Sequence, residues 1–189
     1  MAVGTLETHD ASDQGAVSRF TNTKRVFVGP DAIRTLAVTG TWVLEANTNV
    51  LSLATDDVGG AGELLIVPCP VPFSDQAVQQ SAVNRGVRLV GCEIHYQVAV
   101  STLADLDVFI YKTTLGVHGT APSAAAVSHT DTNLDLDADE HRAEILIAEA
   151  NRFFLDSGTV VHMILDIDDG TSSDVNIFGV VWHFEEYQD

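Results

Sequence analysis

Lysine is nearly absent from this chain: two of 189 residues, Lys24 and Lys112, against 18 Asp and 9 Glu. Seven Arg bring the bases to nine, so the formal net charge is -18. A chain without clustered bases cannot hold a phosphate backbone, which excludes nucleic acid as an expected partner. Long hydrophobic runs are also missing. Nothing approaches the roughly 20 apolar residues of a membrane span, and the opening MAVGTLETHDASDQ lacks the apolar core of a secretory leader. We therefore expect no membrane partner. Cysteine is scarce. Cys69 and Cys92 form no CxxC pair and no disulfide framework, and a single bridge between them stays open. Catalytic signatures are lacking as well. There is no GxSxG elbow, Cys69 is held between Pro68 and Pro70 with no His close in sequence, and acids are too abundant for any carboxylate pair to stand out. No catalytic residue is nominated, and the chain is expected not to be an enzyme.

What is present is a core. Hydrophobic residues make up 46% of the chain and mean hydropathy is +0.15, enough for one compact domain and too much for a disordered one. The Asp-rich, Lys-poor balance points to very high salt. Short carboxylates hold water and ions, the long apolar stem of Lys is costly there, and molar salt screens charges within about 3 Å.

Residues 1–23 are polar and without period, and read as an N-terminal arm. Residues 24–189 read as one domain of strands separated by turn chemistry. Lys24–Val28 runs into Gly29-Pro30-Asp31, Thr41–Leu44 follows Thr39-Gly40, Val50–Ala54 runs into Asp56-Asp57-Val58-Gly59-Gly60, and Glu63–Val67 precedes a proline-rich run. Asp75–Asn84 is the one stretch with helical character.

The second half alternates more clearly. In Arg88–Val100 the residues Val90, Cys92, Ile94, Tyr96, Val98 and Val100 share one face, opposite Leu89, Gly91, Glu93, His95, Gln97 and Ala99. Thr159–Asp168 turns Val161, Met163, Leu165 and Ile167 inward and His162, Ile164, Asp166 and Asp168 outward. Asp174–Tyr187 places Phe178, Val180, Trp182 and Phe184 on the core side and Ile177 and Val181 on the other. Asp105–Leu115 and Glu144–Ala150 are further strands, and residues 116–140 form a long exposed connection. Eight to ten strands with little helix predict an all-β antiparallel sandwich, a jelly roll with an extended N-terminal arm.

His95, His162 and His183 fall opposite the core stripes of three strands, with Glu93, Asp166 and Glu185 nearby in sequence. If those strands share a sheet, the imidazoles converge on a site suited to Zn or Fe, with Asp166 and Asp168 as further candidates. The cupin comparison requires a HisXHis pair followed by Glu, and only Glu93-X-His95 is present. Asp131, Asn133, Asp135, Asp137 and Asp139 alternate like the start of an EF-hand, but Leu136 and Arg142 stand where Gly and Glu are needed. A looser structural Ca²⁺ or Na⁺ site could use these, or Asp166, Asp168, Asp169 and Asp174. No other cofactor is expected.

Three segments carry a family resemblance: Val87-Arg88-Leu89-Val90-Gly91-Cys92-Glu93-Ile94-His95-Tyr96-Gln97-Val98, then Asp105-Leu-Asp-Val-Phe-Ile-Tyr-Lys, then the closing Ile177-Phe-Gly-Val-Val-Trp-His-Phe. Over residues 86–187 the pattern resembles jelly-roll structural proteins of tailed viruses, of the capsid decoration and turret type. That resemblance implies a non-enzymatic virion protein, bound to itself as a trimer, pentamer or hexamer and to a capsid or other virion protein. The strong acidity would fit a halophilic host. Two alternatives remain. A carbohydrate- or receptor-binding module would need an exposed aromatic platform or a Ca²⁺ site, for which Trp42 and Trp182 are few. A cupin-like metalloprotein would need the histidines to meet.

Overall fold

The structure is a computed structural model and describes residues 20–37, 41–47, 50–55, 63–70, 86–98, 103–115, 121–131, 133–155, 158–169 and 175–187. Twelve strands follow in chain order: β1 Phe20–Val28, β2 Arg34–Ala37, β3 Val43–Asn47, β4 Val50–Thr55, β5 Glu63–Pro68 and β6 Gly86–Val98. Then come β7 Leu103–Thr114, β8 Ser123–Val127, β9 Glu140–Leu146, β10 Phe153–Phe154, β11 Thr159–Asp169 and β12 Val175–Tyr187. Two short 3-10 turns, Pro30–Ala32 and Glu149–Asn151, are the only helical pieces among the described residues.

Every strand pair is antiparallel, and the strands form two sheets. The seven-stranded sheet runs β10-β6-β12-β4-β3, with β1 also on β12 and β9 also on β6. The five-stranded sheet runs β2-β5-β11-β7-β8. The chain crosses repeatedly between sheets: β1 to β2, β2 to β3, β4 to β5, β5 to β6 and β6 to β7, then β8 to β9, β10 to β11 and β11 to β12. That wrapping is how a jelly roll closes its core. The all-β sandwich expected from the alternation is the observed fold.

The core is what the inward stripes supply. Met163, Leu165 and Ile167 of β11 and Leu106, Val108 and Ile110 of β7 are fully buried, facing Cys92, Ile94 and Tyr96 of β6 and Val180, Trp182 and Phe184 of β12. The polar ends of the two largest are satisfied, as burial demands. Trp182 Nε1 donates to the Pro68 carbonyl at 3.0 Å and Tyr96 Oη to the Asp135 carbonyl at 2.8 Å. Burial, and then the nearby Asp135, push the Tyr96 hydroxyl up to about 12. Cys69 and Cys92 are both free thiols, and burial raises each.

Two expected registers fail, each at a bulge. On β12 Ile177 pairs with Tyr96 and Gly179 with His95, leaving Phe178 as an extra residue. On β6 Gly91 pairs with His183 and Leu89 with Phe184, leaving Val90 extra. One inserted residue flips the side-chain parity beyond it. Ile177 and Leu89 are therefore fully buried, while Phe178 and Val90 are only half-buried and leave the core stripe. A glycine follows each inserted residue. Gly179 has φ +143°, and a Cβ there would collide with the Phe27 ring. A Cβ on Gly91 would collide with the Ile145 carbonyl.

Other boundaries shift too. The arm was expected to end at residue 23, but Phe20 already pairs with Tyr187, so its last four residues belong to β1. Residues 1–19 lie outside the described residues, as does the helical stretch 75–84. The expected loop 116–140 contains β8, five residues that add an edge to β7. β2 and β10 were not anticipated, being short strands of four and two residues.

Candidate functional site

On the outer face of the seven-stranded sheet, alternation along β6 brings Glu93 and His95 to the surface side. Across the ladders, Arg142 of β9 stands opposite His95, and His183 of β12 opposite Gly91. The four side chains meet. Glu93 is buried; its Oε1 lies 2.6 Å from His95 Nε2 and its Oε2 accepts from Arg142 Nη2 at 2.5 Å. Burial alone would raise the Glu93 carboxyl, but the hydrogen bonds from Arg142 and His95 outweigh it and hold the group below the usual carboxylate value. His183 Nε2 lies 4.0 Å from Glu93 Oε2 and is buried without a hydrogen-bond partner. Burial first, then the Arg25 charge, lower the His183 imidazole. Further along β12, Glu185 takes Arg88 Nη2 at 2.7 Å and Arg152 Nη1 at 2.8 Å, tying β12 to β6 and to the residue before β10.

The three nominated histidines do not converge. His95 and His183 share the seven-stranded sheet, while His162, Asp166 and Asp168 sit on β11 of the other sheet. The His162 ring stacks on Tyr111, with centroids 5.6 Å apart. Asp166 stands opposite Asp107, and Asp168 opposite Asp105. Among the described residues, no group of three or more His, Cys, Asp or Glu is arranged to hold a metal ion. In the Asp131–Asp139 stretch, two carboxylates cap nearby amides and Asn133 reaches across to β7. Asp135 Oδ1 accepts from the Asp137 amide, Asp139 Oδ1 from the Glu140 amide, and Asn133 donates to Asp105 Oδ1 at 3.0 Å. Asp174 lies outside the described residues.

A groove of about 630 Å³ lies on the same outer face as Glu93. Its walls are Phe27 of β1, Glu45, Val50 and Ser52 of the β3–β4 hairpin, and Glu140 of β9. Its floor is His95 and Gln97 of β6 with Asn176, Phe178 and Val181 of β12. Phe27 is 62% exposed, yet one side of its ring lies over Gly179. Asn176 Nδ2 donates to Gln97 Oε1 at 3.3 Å, fixing both amides. Sequence reasoning nominated none of these but His95. Phe27 lay in a recognised strand, but the strand's partner and the bulge beneath the ring were not visible there.

No protein-family model matches the chain, and no curated protein matches it. Among solved structures, the enzymatically active domain of tailspike protein 4 of bacteriophage CBA120 is 10% identical, with TM-score 0.38 over 86% of this chain. This chain spans only 19% of that protein's length. The family 11 carbohydrate-binding module of the Clostridium thermocellum cellulase Lic26A-Cel5E is 5% identical, with TM-score 0.38 over 86% of this chain and 87% of that one. The infectious bursal disease virus Gx strain structure is 11% identical, with TM-score 0.26 over 90% of this chain and 43% of that one. At such scores none of these likenesses assigns the chain to a family or lends it an activity.

Proposed function

We propose that the chain is a non-enzymatic structural protein of a virus particle: a decoration, cement or turret-type subunit that associates with its own copies and attaches to the capsid or tail of a tailed virus. The observation that carries this reading is the open edge of the sandwich. Among the described residues, β2 ends one sheet and β3 ends the β4 side of the other, where β1 also lies along β12. Because Trp182 of β12 bonds Pro68 of β5, the two ends lie on one side. Leu36 of β2 is 56% exposed, Val43 and Leu44 of β3 are each 47% exposed, and Leu51 of β4 is exposed as well. Val43 and Leu44 are successive residues, so the hairpin is apolar on both of its faces.

Solvated edge strands are normally protected by charge, Pro or a covering element. Here β2 and β3, unpaired on one side among the described residues, carry one charge each, Arg34 and Glu45, beside exposed Leu and Val, opposite charges and apolar side chains suited to another copy of the same edge. The sequence pattern over residues 86–187 supplies the virion context, and the acidity supplies the high-salt one. The test is mass by light scattering in molar NaCl, with cosedimentation on particles of the virus that encodes the chain. The full chain should form a defined oligomer and bind particles, and the Leu44→Ser, Leu51→Ser double variant should be a folded monomer. Deleting residues 1–19 should weaken attachment if the arm is a tether. A full chain that stays monomeric and never sediments with particles overturns the reading.

A further inference from the structure

The groove beside the Glu93 cluster has chemistry that assembly through the open edge does not use. We propose that it binds a neutral, hydroxyl-rich ligand, a short run of pyranose rings, with Phe27 as the stacking platform. This goes beyond the assembly reading and does not rest on it. Phe27 is 62% exposed but braced: its ring lies over Gly179, where even a Cβ would collide with it. The ring is thus braced at Gly179 while most of its surface stays exposed at the groove, an apolar surface that the C–H face of a pyranose can cover.

The floor beside it offers both halves of a hydroxyl's hydrogen bonding. With Asn176 Nδ2 committed to Gln97 Oε1, Gln97 Nε2 is left as a donor and Asn176 Oδ1 as an acceptor. A hydroxyl both gives and takes, so a ligand bearing several can satisfy the pair. Charge narrows the class. Glu45 and Glu140 stand on the walls, and no Lys or Arg is among the described residues lining the groove, so an anionic ligand is repelled. A simple cation would use the carboxylates and Phe27 but would leave the amide donor facing it. The volume, about 630 Å³, lies within the range of small-molecule sites.

The test is native affinity electrophoresis of the full chain through gels carrying a mixed-linkage β-glucan, a β-galactan or dextran. At least one polysaccharide should retard the chain. Phe27→Ala and Asn176→Ala should each weaken apparent affinity about tenfold or more, Phe27→Trp should keep it, and Leu36→Ser, on the sandwich edge, should leave it unchanged. Phe27→Ala removes an exposed ring, and its thermal unfolding confirms that it folds. Retardation by none of the three, equal retardation of Phe27→Ala, or binding to spermine in place of polysaccharide each overturns the proposal. Oligomer mass is read separately, so loss of assembly and loss of sugar binding are distinguishable.

Discussion

Asp107 and Asp166 stand directly opposite each other on β7 and β11, and Asp105 and Asp168 repeat the arrangement two residues along. Four carboxylates thus form a rectangle on the outer face of the five-stranded sheet. Like charges directly across a ladder are destabilising. Burial, and then the charges of Asp107, Asp168 and Asp105, raise the Asp166 carboxyl above its ordinary value. A raised native value means that the folded state binds the proton more tightly than the unfolded one. The penalty is therefore in full force above that value and is relieved as the pH falls toward the ordinary Asp range. At neutral pH, Asp166→Asn should raise the thermal midpoint at about 0.1 M salt. The gain should shrink toward 2 M, where screening already acts within about 3 Å. Midpoints for both proteins across an NaCl series check this, and the parent's own midpoint should climb with salt.

Two histidines, buried His183 and half-buried His162, tilt stability the other way on acidification. Burial lowers the imidazoles of His162 and His183 in the native state. Above about pH 6.5, the unfolded imidazole value, both states carry neutral rings and neither histidine contributes. As the pH falls through that value the unfolded chain takes up protons that the native chain does not, so stability is lost until the lower native values are reached. His183→Gln should flatten the slope of urea-unfolding stability between about pH 7 and 5. An unchanged slope would show that protonation of His183 is not linked to unfolding.

Glu93 adds a second acid loss further down. Its carboxyl is held low by Arg142 and His95, so its contribution is present above the unfolded carboxylate value and disappears as the pH falls through the native one. Glu93→Gln should lose stability at pH 7 and lose its difference from the parent at the acid end, measured by the same unfolding series.

In the core, Leu165 is fully buried between the sheets. Leu165→Ala should cost about 2–5 kcal/mol of unfolding free energy, the range for a cavity that the surroundings only partly fill.

The glycines after the bulges should tolerate little. Gly179→Ala places a Cβ at φ +143° against Phe27 and the Val28 carbonyl, and Gly91→Ala places one against the Ile145 carbonyl. Each should cost on the order of 1–3 kcal/mol in urea unfolding. An exposed control such as Ala124→Gly, on β8, should stay within about 1 kcal/mol.

Alternation was legible wherever it ran unbroken. Val161 to Ile167 and Cys92 to Val98 were placed correctly because a two-residue period in apolar residues has no other reading. Phe178 and Leu89 were misplaced because an inserted residue changes parity without changing composition. The following Gly in Val90-Gly91 and Phe178-Gly179 was the signal available. His95, His162 and His183 were legible as outward-facing, but an outward face does not say which sheet. That assignment depends on long-range pairing, which put β11 on β7 and β6 on β12. The groove was least legible of all, since Phe27, Gln97 and Asn176 come from three strands and meet only through register.

The two bulges on the β6–β12 ladder also relate to one another. Residue numbers of paired positions sum to 273 at Ile177 and Tyr96, to 274 from Gly179 and His95 to His183 and Gly91, and to 273 again at Phe184 and Leu89. The inserted residues behave as dislocations of opposite sign, each correcting the offset made by the other. Deleting Val90 alone, or Phe178 alone, would leave one end of the ladder a step out of phase with every neighbouring strand. Deleting both would let the defects annihilate and the ladder run straight. The healed sheet would keep its core but lose Phe178 from the floor of the groove, so the paired defects help to shape the surface that the ladder presents.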